Sequence, residues 1–197
     1  MTVLRHAAER ADGATFTELL EALDIPKSTL HRLLHTLLSE RLLRLDETDH
    51  RYKLGYGIFE LARHAWERTD IRREAQHAIL ELVRHTGETV HLAILDGLDV
   101  VYVDKIEGSH TIRMASTVGA RNPAYCTGVG KALLAFVDSK ELARRFTGYE
   151  FRSFTPNTIT SFKRLANEMA RIRAAHFAVD NEEHEVGIRC AAAPIFN

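Results

Sequence analysis

Three groups of residues in this 197-residue sequence have the types and spacing to do chemistry. The first runs from Lys27 to Ser39 and contains no acidic residue. At 100° per residue, Ser28, Arg32, His35 and Ser39 fall on one side of a helix, with Thr29, His31 and Thr36 flanking and Lys27 in the first turn. Such a face can lie against a polyanion. A helix fits the DNA major groove, where an arginine such as Arg32 takes guanine bidentately and Ser28, Thr29 and His31 reach bases or phosphates. The candidate DNA-contacting residues are therefore Lys27, Ser28, Thr29, His31, Arg32 and His35. The alternative is a solvated face on a helix that packs elsewhere, with Arg32 bracing it against an acid such as Glu18. His31 and His35 also stand at metal-ligand spacing. A zinc protease would need glutamate where Arg32 stands, and no third ligand follows. No metal or cofactor is expected.

The second group is Thr127-Gly128-Val129-Gly130-Lys131. It resembles a phosphate loop only superficially, because Tyr125 occupies the place of the first glycine and Ala132 follows the lysine where Ser or Thr is required. What survives is a glycine-rich entry into a helix near Gly130, whose backbone N–H groups can hold a carboxylate. Glycines serving only a tight turn are the alternative. The third group is Asp180 and Cys190, ten positions apart around Gly187, on segments that can face each other across a pocket. His184 lies between them. A Cys/His nucleophile is conceivable there, but nothing supplies an oxyanion hole or a third member, so no enzyme is expected. A buried packing role is the ordinary fate of a free cysteine such as Cys190.

Elements to position these groups are visible in the periodicity. Val3, Leu4, Ala7, Ala8 and Ala11 form a first amphipathic stripe. Thr15-x-x-Glu18 is a capping-box pattern that opens a second helix with Phe16, Leu19, Leu20 and Leu23 inward. Pro26 opens a third helix whose leucines at 30, 33, 34, 37 and 38 make one buried stripe. Leu42–Leu45 and Arg51–Leu54 read as strands around a polar tip, Asp46–His50, where His50 or Arg51 suits phosphate contacts. Three helices and a hairpin in about fifty residues make a winged helix-turn-helix. A helix follows Gly57, and Asp70 caps another. After Gly87 the pattern changes to strands over 89–95 and 100–106 around an Asp96–Asp99 turn, with 112–114 as a third. Residues 130–137 and 161–176 return to helix, and 187–195 reads as a buried strand. The expected fold class is α+β: a winged helix at 1–56, a linker helix at 57–70, and an antiparallel-sheet domain at 71–197.

Composition agrees with a globular protein. The chain is 45% hydrophobic and 27% charged, with a net charge of −1, so any nucleic-acid binding must use a local patch. No apolar run approaches the roughly 20 residues of a membrane span, and the start lacks a signal-peptide core, which points to the cytoplasm. Two cysteines, Cys126 and Cys190, suit a reducing compartment.

Four motifs, in order, are similar to the IclR family of bacterial transcriptional regulators. They are Ile25-Pro26-Lys27-Ser28-Thr29-Leu30-His31-Arg32-Leu33-Leu34, Arg51-Tyr52-Lys53-Leu54-Gly55, Pro123 through Ala135, and Asp180-Asn181-Glu182-Glu183 with Gly187 through Ala192. The resemblance spans essentially the whole chain. It implies a winged helix joined to a GAF-like effector domain, and regulation of a catabolic operon as a repressor or an activator, with repression the expected sign. It implies a homodimer or tetramer on a palindromic duplex operator, and a small organic-acid effector near Gly128, Val129, Asp180 and Cys190. The Ile112-Arg113-Met114 run is most like the branch sensing sugar-acid catabolites. Family members usually continue for some fifty further residues that close the sheet and pocket, so an incomplete effector domain is expected here. A second domain that only oligomerises the DNA-binding heads is the alternative function.

Overall fold

The structure is a computed structural model that describes residues 1–67, 70–109 and 117–196, without the side chains of 65–67 and 70. It divides into two compact units, Met1–Asp70 and Ile71–Asn197.

The first unit contains α1 (Thr2–Ala8), α2 (Phe16–Leu23), α3 (Lys27–Ser39), a hairpin of β1 (Leu43–Asp46) and β2 (Arg51–Leu54), and α4 (Gly57–Glu67). The capping box forms: Glu18 N donates to Thr15 Oγ1 at 3.3 Å, and Thr15 N donates to Glu18 Oε2 at 2.8 Å. Pro26 sits at the N-cap of α3, and Asp24 takes the left-handed conformation that turns the chain between the helices. Val3, Leu4, Ala7, Leu19, Leu30, Leu34 and Leu43 make the core. Burying a leucine of this kind is worth about 1.5–3 kcal/mol, so three helices of modest length hold together mainly by this contact. One member of the expected leucine stripe departs from it. Leu33 is 40% exposed, because the stripe is narrower than its sequence spacing suggests. The hairpin pairs Leu43 with Leu54 and Asp46 with Arg51, and an isolated bridge between Ala14 and Tyr52 ties it to the helices.

In the second unit α5 (Asp70–Thr86) precedes β3 (Val90–Asp96), β4 (Asp99–Ile106) and β5 (Arg121–Pro123), which form an antiparallel sheet in the order β3-β4-β5. The expected third strand at 112–114 lies outside the described residues; the third described strand is β5. A single-turn helix at Ala124–Cys126 leads into α6 (Gly128–Leu134), two residues earlier than expected because Thr127 caps it by accepting from Gly130 N at 3.2 Å. Helices α7 (Ser139–Arg145) and α8 (Phe162–Ala175) follow, then a hairpin of β6 (Ala178–Asn181) and β7 (Arg189–Ala192). The 187–195 segment is thus a shorter strand than expected, with residues alternating between exposed and half-buried. Val100, Leu134, Leu142, Leu165, Met169 and Ile172 build the core, with Tyr125, Phe146, Phe151 and Phe162 in an aromatic cluster beside it.

Candidate functional sites

Helix α3 presents Lys27, Ser28, His31, Arg32 and His35 to solvent on one side, while Leu30 and Leu34 are buried on the other. Thr29 is half-buried at the edge. The His31 ring rests on Phe16, with centroids 4.4 Å apart, and Lys27 Nζ stands 6.0 Å from the same ring. One helix therefore props the leading edge of the next. Thr36 and Ser39 turn back on the helix, donating to Arg32 O and Thr36 O, so the outward donors are concentrated in the N-terminal half. That is the half which enters a groove in a helix-turn-helix.

Glu18 does not brace Arg32. It is held instead by Arg10 at 3.0 Å and Arg51 at 3.2 Å. Arg51 also donates to Gly13 O at 3.0 Å, so this candidate DNA contact is half-buried and tied to its own unit, apart from the α3 group. Hydrogen bonding from Thr15, aided by these arginines, holds the Glu18 carboxyl below its usual range. On the wing, Lys53 Nζ bridges Asp46 at 2.7 Å and Asp49 at 3.1 Å, which fixes the tip. Arg44 remains exposed on β1 and His50 at the tip. Sequence reasoning missed Arg44. Its signal was alternation in β1, where it stands one residue from the buried Leu43. His31 and His35 assemble no metal-ligand cluster, and none occurs among the described residues.

The second unit carries an open cavity of about 1060 Å³, lined by one face of α5, the sheet, the start of α6 and the β6–β7 hairpin. Gly128, Val129, Asp180 and Cys190 all line it. The glycines are explained by close approach and not by a turn. A Cβ on Gly128 would stand 2.8 Å from Cys190 Sγ, and one on Gly130 would stand 2.3 Å from Ala124 O. Gly130 N is already capped by Thr127, so it is not a free donor for a carboxylate. Asp180 and Cys190 are register partners on adjacent strands, side by side with Sγ and Oδ2 3.9 Å apart, where the sequence suggested opposite walls.

Asp180 is anchored from below. Its Oδ1 accepts from Glu183 N at 2.8 Å, and Thr158 and Thr155 donate to Glu183 O and Glu182 O, each at 2.6 Å. Lys131, fully buried, donates to Val179 O at 2.7 Å and to Glu183 Oε1. Burial raises the Asp180 carboxyl, against the Glu183 N–H and Lys131, which lower it. Burial, reinforced by Asp180, pushes the Cys190 thiol up to about 11 and the Cys126 thiol to about 12. Both cysteines are neutral thiols near pH 7, unsuited to nucleophilic attack. His184 lines the cavity with its ring 4.7 Å from Phe154, and its pKa is lowered, chiefly by burial.

Comparison with known proteins gives a consistent picture. Residues 1–47 match the family model described as the IclR helix-turn-helix domain, and residues 63–197 match that for the bacterial transcriptional regulator IclR C-terminal region. The HTH-type transcriptional regulator XynR of Escherichia coli is 37% identical over 189 residues, covering 96% of this chain and 75% of that protein. The regulator KdgR of the same organism is 38% identical over 181 residues, covering 92% and 69%. The crystal structure of Thermotoga maritima IclR superposes with a TM-score of 0.74 at 35% identity, over 100% of this chain and 79% of that one.

Proposed function

The chain belongs to the IclR family of bacterial transcriptional regulators, and from that premise we propose that it reads a two-fold symmetric operator as a homodimer while its second unit senses a small organic acid. It is a DNA-binding transcriptional regulator and not an enzyme, as its relatives are regulators. The observation that carries the reading is the exposed, acid-free face of α3, with Lys27, Ser28, His31, Arg32 and His35 together. Arg32 reads a base edge, Lys27 and Arg44 hold phosphates, and His31, propped on Phe16, fixes the approach of the helix. Repression of a catabolic operon is the regulatory outcome we favour. One winged helix reads few base pairs, so a two-fold pair doubles the contacts and demands half-sites a whole number of turns apart. Tyr56, Phe59 and Leu61, which are 73%, 70% and 61% exposed, supply apolar surface for such a pairing.

In the second unit, Gly128, Val129, Asp180 and Cys190 contact the effector, and sugar-acid catabolites are the class we favour. Binding acts by linkage: an acid that favours one arrangement of the subunits changes operator affinity by the same coupling energy.

Selection of bound duplexes from a random library tests the DNA reading. Wild type enriches a palindrome, and Arg32→Ala relaxes one position in each half-site with a loss of about 1–3 kcal/mol per site. Failure to enrich any sequence at moderate salt removes the operator reading.

A further inference from the structure

Helix α5 borders the open cavity of the second unit on unequal supports. Ile71, Ala75, Ala78, Ile79 and Leu82 line the cavity from one face of it, yet Ile79 is its only buried residue among those described. A helix of 17 residues packed so lightly draws little hold from apolar contact. Its ends are held by polar groups. At the C-terminal end the hold is backbone. Gly87, at φ +71°, donates to Val83 O at 2.8 Å, and its carbonyl accepts from Ser109 N at 2.9 Å. Gly108 fits there so closely that a Cβ on it would stand 2.2 Å from Gly87 O. At the N-terminal end side chains serve instead, with Arg72 Nε donating to Asp104 Oδ2 at 2.9 Å. Asp104 is 8% exposed, and its other oxygen accepts from Lys105 N at 2.9 Å, so the acceptor is fixed in β4. Neither Arg72 nor Asp104 lines the cavity.

We infer that Arg72 and Asp104 are positioning residues, whose ion pair fixes the N-terminal end of α5 and through it the operator affinity of the chain. The inference rests on the operator reading above. From Arg72 to Gly87 the helix runs about 22 Å, at about 1.5 Å per residue. A tilt of about 5° at Gly87 therefore moves the Arg72 end by about 2 Å. That is the end at which the chain passes from the first unit into the second, the boundary falling between Asp70 and Ile71. Without the pair this end samples more arrangements, and the cost of ordering it falls on DNA binding. Loss of the pair therefore weakens the operator complex, although neither residue is placed against DNA. The cavity borders the same arm, so a ligand that fills it acts on the lever that the pair holds.

Hydrogen exchange and duplex binding on the full chain test this, with the palindrome selected by wild type as the probe. In Arg72→Gln and in Asp104→Asn, amides in the first half of α5 exchange about fivefold faster, while those of β3 and β4 keep their rates. Operator affinity falls about fivefold in each, with the salt slope and base preference of wild type retained. The double variant loses no more than either single one, because the pair acts as a unit. Arg72→Lys keeps a cation at the site and loses about twofold at most. Unchanged exchange in α5, or faster exchange there with unaltered affinity, overturns the inference. Faster exchange across the whole second unit with a lower melting temperature also overturns it, by making the pair a structural brace. If wild type selects no palindrome, the operator reading falls and takes this inference with it. A palindrome bound equally by wild type and both variants sinks the inference alone.

Discussion

Asp180 occupies an uncomfortable place for a carboxylate. It is 5% exposed, shares a strand register with a thiol, and has Glu183 three residues on. Burial is the largest influence and raises its pKa above 3.8. A carboxyl whose folded pKa is raised favours the native state below the unfolded value, and that contribution disappears as pH rises through the folded one. Asparagine at 180 keeps an oxygen to accept from Glu183 N but has no charge to desolvate. Asp180→Asn therefore gains stability relative to wild type as pH rises from about 4 to 7, read from denaturant midpoints at the two pH values; a constant difference would refute the assignment. Lys131 shows the limit of motif reading at this scale. Its spacing from Gly128 evoked a phosphate loop, yet the ammonium points inward to Val179 O and Glu183, the latter 52 positions away in sequence. Nothing local in the sequence encodes a partner so distant. Glu183 Oε2 is left buried with no hydrogen-bond partner among the described residues, so the pair costs desolvation and serves to fix the turn that carries Asp180.

Elements were legible where one physical rule dominated. The α2 start was readable because a capping box is local, and α3 because its leucine period is strict. Short strands were not. In β6, Ala178–Asn181, the inward residues are Ala178 and Asp180, so the hydrophobic alternation that marks a strand is hidden by a buried carboxylate. Helix α7 has only Leu142 buried, too little for a stripe. The capping box also makes a quantitative prediction. Helix α2 has eight residues and depends on its termini. Thr15→Ala removes the acceptor for Glu18 N and keeps the residue-15 N–H that donates to the Glu18 carboxylate, so only one half of the box is lost. The expected loss is about 1 kcal/mol, with Thr15→Ser restoring most of it, as measured by urea unfolding. No loss in Thr15→Ala would mean that tertiary packing alone sets the helix start.

At the scale of the whole molecule the decisive fact is charge. A net charge of −1 gives the chain no general attraction for DNA, so affinity must come from a few local contacts. Salt dependence counts those contacts. Each phosphate neutralised adds about 0.9 to the slope of log affinity against log salt. Lys27 stands exposed at the first turn of α3, the place of the proposed phosphate contact that would set the register of the helix. Lys27→Ala lowers the slope by about one for each subunit bound, hence by about two if a homodimer occupies the operator. Affinity falls in parallel across unrelated sequences, because a phosphate contact carries no base information, whereas Arg32→Ala alters sequence preference. A slope change near one on the palindrome would mean that a single winged helix engages at a time, and the two-fold arrangement would then have to be abandoned. An unchanged slope would instead move the phosphate contact to the wing, where Arg44 is exposed on β1.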